Sequence, residues 1–192
     1  MANAATRAAA LGGAPSYDSV AQALHWLVAV LAVAVVLLGW TIEGVPRNTP
    51  QRDLLMMVHS SVGLGILAAM IFRAGWRWRH PPPPLPPSVG RLEAALARCT
   101  HLVLYLIFIL VPLAGYLNAA AAGHAFDFFG IVSIPPLLPE SGRLSQVAIA
   151  IHLVGQYPLY VFVTLHLAGA LFHGAVKRDG VVGRMLPMRR AG

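Results

Sequence analysis

Four long stretches of this chain contain no charged side chain, and they decide most of what it can fold into. Residues 20–42, 54–72, 99–122 and 144–176 form uncharged runs of 23, 19, 24 and 33 residues. A run of about 18 or more reads as a membrane-spanning helix. Composition agrees, because only 11% of residues are charged where ordinary soluble domains carry about 25%. The predicted fold is an all-α membrane protein, a bundle of four transmembrane helices. The fourth run is too long for one perpendicular span at about 1.5 Å per residue. Its first residues, including Gln146, are expected to project from the hydrocarbon or the helix to tilt, which leaves a span of 147–176.

The net charge of +7 follows the span ends, so it argues for membrane orientation and against a nucleic-acid partner. Arg7 precedes span one. Arg73, Arg77, Arg79, Arg91 and Arg98 lie between spans two and three. Lys177, Arg178, Arg184, Arg189 and Arg190 follow span four. The other side carries only Arg47, Arg52 and Arg143. Cytoplasmic loops carry the excess of Lys and Arg, so both termini and the middle loop are predicted to be cytoplasmic. The predicted organisation is a flexible cytoplasmic tail over 1–19, a membrane domain over 20–187 and a second cytoplasmic tail over 188–192. Span one exceeds a usual signal-peptide core and is read as retained.

The single cysteine, Cys99, permits no intrachain disulfide, and there is no C-x-x-C-H for covalent haem attachment. The middle loop holds Pro81–Pro84, Pro86 and Pro87, which favour an extended backbone. Residues 89–98 are expected to begin a helix before span three enters the membrane. The loop 123–143 carries Phe126, Phe128 and Phe129 and is expected to rest on the interface or cap the bundle. Pro112 and Pro158 lie inside spans three and four, where each removes a backbone donor and is expected to bend the helix.

Histidines carry the functional signal. There are eight, and an ionisable residue inside a membrane span is a functional-site hypothesis by default. His152 and His166 are 14 residues apart on span four. They therefore share a helix face within about 40° and differ in height by about 21 Å. One helix can thus offer an imidazole to each of two cofactors stacked across the membrane. His25, near the inner end of span one, matches His166 in depth. His59, near the outer end of span two, matches His152. The predicted pairs are His25/His166 for an inner site and His59/His152 for an outer one.

Two imidazoles per level fall short of a structural zinc site, which takes four ligands. They suit the two axial positions of a haem. Gly155 and Gly169 follow His152 and His166 by three residues, and Gly63 follows His59 by four. These glycines either leave room for a flat macrocycle or serve helix packing. Arg73 and Arg77 are candidate partners for haem propionates, against a simpler role as orientation signals. His101, near the inner end of span three, is left over from the pairing. It is a candidate for a quinone or propionate contact, against an interfacial or packing role. His173 is read as interfacial, His80 and His124 as loop residues. Tyr17 and the four tryptophans are read as interface anchors.

Several motifs resemble the prokaryotic cytochrome b561 family, four-helix membrane cytochromes with two haems. They are His25-Trp26, His59-Ser60-Ser61-Val62-Gly63, and His101-Leu-Val-Leu-Tyr105 followed by Pro112 and Gly115. The His152/His166 pair then leads to Lys177-Arg178-Asp179-Gly180 and Arg184-Met185-Leu186-Pro187. The resemblance covers roughly Tyr17 to Pro187. It implies two b haems with His25, His59, His152 and His166 as axial ligands. It also implies electron transfer in the bacterial inner membrane to ubiquinone or another quinone. The donor it implies is superoxide, as in a superoxide oxidase, or a periplasmic redox protein. In the second case the chain is the haem-bearing membrane anchor of a dehydrogenase or hydrogenase. A haem-free transporter built on the same histidines is the remaining alternative.

Overall fold

A computed structural model describes residues 16–186. Of the tails expected over 1–19 and 188–192, residues 1–15 and 188–192 lie outside the described residues, with Arg7, Arg189 and Arg190, whereas residues 16–19 are described and lead into the first helix. Four helices long and apolar enough to cross a membrane make up the fold. They are α1 (Ser19–Glu43), α2 (Pro50–Arg79), α3 (Arg91–Ala121) and α4 (Gly142–Leu171). The chain is a multi-pass membrane protein with the architecture of a four-helix bundle. Val30, Val33 and Val154 are each more than 60% exposed along the helices, an arrangement that only lipid makes favourable.

Local chemistry sets the helix ends. Asp18 Oδ1 accepts from the N–H groups of Val20 and Ala21 and caps α1. Thr49 Oγ1 caps α2, with Pro50 at the first helical position, where its missing N–H costs nothing. Gly90 N donates to Glu93 Oε2 at 2.8 Å at the start of α3. That helix begins well before its apolar run, as the composition of residues 89–98 suggested. It ends at Gly123, whose left-handed φ of 77° lets His124 N reach Ala119 O and Gly123 N reach Ala120 O. This is the helix-closing geometry that glycine adopts most cheaply. Both α3 and α4 run unbroken through Pro112 and Pro158.

Successive helices pack on one another, α1 on α2, α2 on α3 and α3 on α4. Val28, Val62, Ile66 and Met70 form the buried centre, flanked by Tyr105, Phe108 and Ile109. The closest seam joins α3 to α4. A Cβ on Gly155 would lie 2.5 Å from Val111 Cγ2, so this glycine serves helix packing. Gly63 has only Pro112 Cβ at 4.0 Å, and Gly169 meets nothing within 4 Å. By contrast, α4 makes almost no close backbone approach to α1 or α2.

The loop after α3 holds structure that an all-helical reading did not include. Phe126–Phe128 (β1) and Val132–Ile134 (β2) pair antiparallel, with Phe126 opposite Ile134. Phe129 and Gly130 turn the hairpin with φ of 51° and 69°. Ser61 is fully buried, and its Oγ accepts from Phe129 N at 2.8 Å and donates to Met57 O at 2.7 Å. Phe126 is buried beside Tyr116. The hairpin therefore caps the end of the bundle away from the arginine-rich loop.

At the basic end, the start of α1, the proline-rich loop and the C-terminal segment meet. The carbonyl of Arg184 accepts from Tyr17 N, Ser16 Oγ and Gln22 Nε2. The Arg184 guanidinium donates to Pro84 O, and Trp26 Nε1 donates to Met185 O. A π-helical turn, Phe172–Lys177, ends α4. There Lys177 pairs with Glu93 and His173 Nδ1 donates to Asp179 Oδ2, both at 2.7 Å.

Two outcomes test this packing. Gly155→Ala should destabilise the detergent-solubilised protein by about 1–3 kcal/mol through overpacking against Val111, while Gly169→Ala should not. Thermal unfolding of the two variants side by side reads the difference. The second concerns Asp179. Partial desolvation raises its pKa, but hydrogen bonds from His173 and Val181 N outweigh this and hold it below the ordinary 3.8. A depressed carboxylate contributes stability above its unfolded pKa and loses it as pH falls through the folded value. Protection of the 179–186 backbone from hydrogen exchange should therefore fall below about pH 4, and in Asp179→Asn this acid-dependent step should be absent.

Candidate haem-binding site

The predicted histidine pairs come together. The His25 and His166 rings have centroids 6.0 Å apart at an interplanar angle of 71°. The His59 and His152 rings stand at 6.0 Å and 78°. These pairs bridge α1 to α4 and α2 to α4, the helix combinations whose backbones stay apart. The separation of the paired rings has a direct chemical reading. Two metal–imidazole bonds of about 2 Å each, added to the half-widths of two rings, span about 6 Å. Each pair is thus spaced for one metal ion between two imidazoles. No group of three or more His, Cys, Asp or Glu among the described residues is arranged to hold a metal ion.

At the hairpin end, His152 Nδ1 lies 2.9 Å from Val111 O. A carbonyl can only accept, so Nδ1 carries the proton and Nε2 keeps its lone pair for a metal. That second contact fixes the tautomer and orients the ring. The ring has its place because position 115 is glycine, where a Cβ would come within 3.0 Å of His152 Nδ1. Across the gap, His59 Nδ1 is buried without a hydrogen bond. The Val35 carbonyl faces the ring without closing a bond of ordinary geometry. Position 39 of α1 is also glycine, 3.6 Å from His59 Cε1 when a Cβ is placed there.

The basic end differs. Arg73 Nη2 lies 3.1 Å from His25 Nδ1. Arginine only donates, so Nδ1 of His25 accepts here and its Nε2 bears the proton. Ligation through Nε2 requires this contact to open. Arg73 and Arg77 both lie over the Tyr105 ring, 5.6 and 5.7 Å from its centroid. His101 joins the same cluster, its ring centroid 5.3 Å from that of His166. Matching histidines by depth alone had left it without a neighbour. His173 pairs with Asp179, His80 stacks on Trp76 at 4.1 Å and His124 is exposed.

The arrangement fits haem, because at each level two imidazoles are paired and the backbones of the helices that carry them stay apart. Sequence reasoning missed Val111, whose carbonyl sets the His152 tautomer, and the contact of the motif residue Tyr105 with both arginines. It also missed Gly39 and the role of Gly115, because a glycine's service to a neighbouring helix has no signature along its own.

Comparison with known proteins agrees. The profile of the prokaryotic cytochrome b561 family matches residues 16–188. "Cytochrome b561 homolog 2" of Escherichia coli is 29% identical over 176 residues, covering 88% of this chain and 90% of that one. A Yersinia pestis protein described as "probable superoxide oxidase CybB" is 30% identical over 176 residues, covering 91% and 97%. "Cytochrome b562" of Cereibacter sphaeroides is 26% identical over 179 residues, covering 91% and 98%. The family is one of electron transport and implies b-type haem. Match and architecture together make this chain a member of the prokaryotic cytochrome b561 family.

Proposed function

We propose that the chain holds two b haems, one between His25 and His166 and one between His59 and His152. It carries electrons through the bacterial inner membrane to ubiquinone or another quinone. The observation that supports this most is the equal 6.0 Å spacing of both ring pairs on helices whose backbones stay apart. The charge distribution supports placing the basic end in the cytoplasm, with the hairpin end facing the periplasm.

Bound haem supplies one-electron redox chemistry, and the protein supplies position and surroundings. His152 and His166, on one face of α4, set the two levels about 21 Å apart along the helix. Val111 holds His152 in the ligating tautomer. Apolar side chains of α1, α2 and α3 exclude water from the gaps. With two imidazoles at each level, the protein would supply two ligands to each haem iron, so donors and acceptors would exchange electrons without binding the metal.

The donor we propose is superoxide, in line with the description of the Yersinia relative as a probable superoxide oxidase. This makes the chain a superoxide:quinone oxidoreductase. A second reading is a membrane anchor that takes electrons from a periplasmic dehydrogenase or hydrogenase. The hairpin end favours it, because Ile131 and Leu137 there are 81% and 70% exposed.

Detergent-purified protein should contain two haems per chain, with a low-spin spectrum and little response to carbon monoxide. His166→Ala and His59→Ala should each lose about half of the haem, since one ligand of one pair is gone. Protein that folds well without haem would overturn the assignment. Mixing oxidised protein with superoxide should rapidly give the reduced haem spectrum, then quinol. Unchanged absorbance would leave the anchor reading, which predicts reduction by a co-purifying partner instead.

A further inference from the structure

The basic end holds cations with no counter-charge. Arg73 and Arg77 are one turn apart on α2 and both lie over Tyr105. Neither has a carboxylate within ion-pair distance among the described residues. The two ion pairs found there are His173–Asp179 and Lys177–Glu93. Asp18 is engaged by the start of α1 and by Trp76 Nε1. His101, one turn before Tyr105 on α3, makes no hydrogen bond to another described residue and lies against His166. A part-buried guanidinium at a membrane boundary is costly unless it finds an anion.

The small cleft beside these groups, about 20 Å³ in volume, is lined by Tyr17, Arg73, Trp76, Arg77, His80 and Tyr105. It adjoins His25 through Arg73. That contact excludes ligation of His25 through Nε2, because a ligating Nε2 puts the ring proton on Nδ1, where Arg73 also presents a proton. When His25 ligates in this way, Arg73 must turn away and needs a new acceptor.

We propose that the cleft receives a propionate carboxylate of the inner haem, with Arg73 and Arg77 as its counter-cations. The inference rests on the reading that a haem lies between His25 and His166. Arg73 acts as a placeholder on His25 and transfers its hydrogen bond to the carboxylate when that haem is seated. Two neighbouring guanidinium groups over an aromatic face suit a planar carboxylate, which accepts paired N–H donors. The site turns the propionate edge of the inner haem towards the basic end. Arg73 and Arg77 are positioning residues for that haem.

The test uses full-length protein loaded with haem carrying ¹³C at the propionate carboxylates, in nanodiscs of neutral lipid. Redox-difference infrared spectra should show carboxylate bands of one haem that move in Arg73→Gln and Arg77→Gln. They should stay in place in Arg143→Gln, a matched charge loss at the other end. The midpoint potential of the same haem should fall in both variants, since a cation favouring the reduced form is lost. The inner haem is identified as the one missing from His166→Ala. Should Arg73→Gln fail to load it, Arg77→Gln and the wild type carry the test. A wild-type inner-haem carboxylate band at the position of a free, hydrated propionate would overturn the proposal. Two haems with bands unmoved in both arginine variants would overturn this inference alone, whereas wild type without an inner haem would overturn both readings. Bands that respond to arginine substitution only when anionic lipid is present would assign the pair to a lipid phosphate, against the proposal.

Discussion

An imidazole within the hydrocarbon must find its partner inside the protein, because lipid offers neither a donor nor an acceptor. Four histidines of this chain face that constraint in two pairs. The bundle is arranged around the solution. The seam between α3 and α4 is drawn tight by Gly155 against Val111, and that closeness brings the Val111 carbonyl to His152. The combinations α1 with α4 and α2 with α4 are held apart by the same arrangement. Tight packing on one side of α4 and wider backbone separation on the other are two aspects of one design. Small residues at the tight seam let backbones approach, and rings at the open ones keep a fixed distance.

The two ends of the bundle treat their histidine pairs differently. At the hairpin end the polar partners are backbone and neutral. Val111 serves His152, and the cap is a hairpin anchored by Ser61 on α2. At the basic end the partners are charged, with Arg73 on His25 and Arg77 alongside it on Tyr105. Cations near a haem favour its reduced form and raise its potential, so on the proposed two-haem reading the asymmetry bears on the order in which the centres fill with electrons.

Much of this was legible along the chain, and the reasons differ by element. The uncharged runs located the four helices because the membrane tolerates few alternatives. Their ends were less legible. Helix α2 continues through the charged stretch to Arg79, since the rule that limits charge applies only within the hydrocarbon. The pairing of His152 and His166 on one face was readable because helical periodicity is a property of a single segment. The position of His101 was not, because its approach to His166 depends on how α3 turns about its own axis. The hairpin escaped notice for a similar reason. Strands of three residues carry almost no periodic signal, and its anchor, Ser61, sits 68 residues away from Phe129. Gly155 was recognisable as either a cofactor or a packing glycine, and only the facing Val111 decided between them.

The carbonyl of Arg184 collects donors from Ser16, Tyr17 and Gln22, across sequence separations of 162 to 168 residues. This junction ties together the two ends of the described chain. During synthesis it cannot form until Arg184 has left the ribosome, by which time all four helices can already be in the bilayer. Until that moment the basic end of the bundle has no closure, and the cleft beside His25 remains open to the aqueous side. If a cofactor is held at that level as proposed, its entry has a natural window, which opens with insertion of α4 and shuts when residues 182–186 fold back over Tyr17.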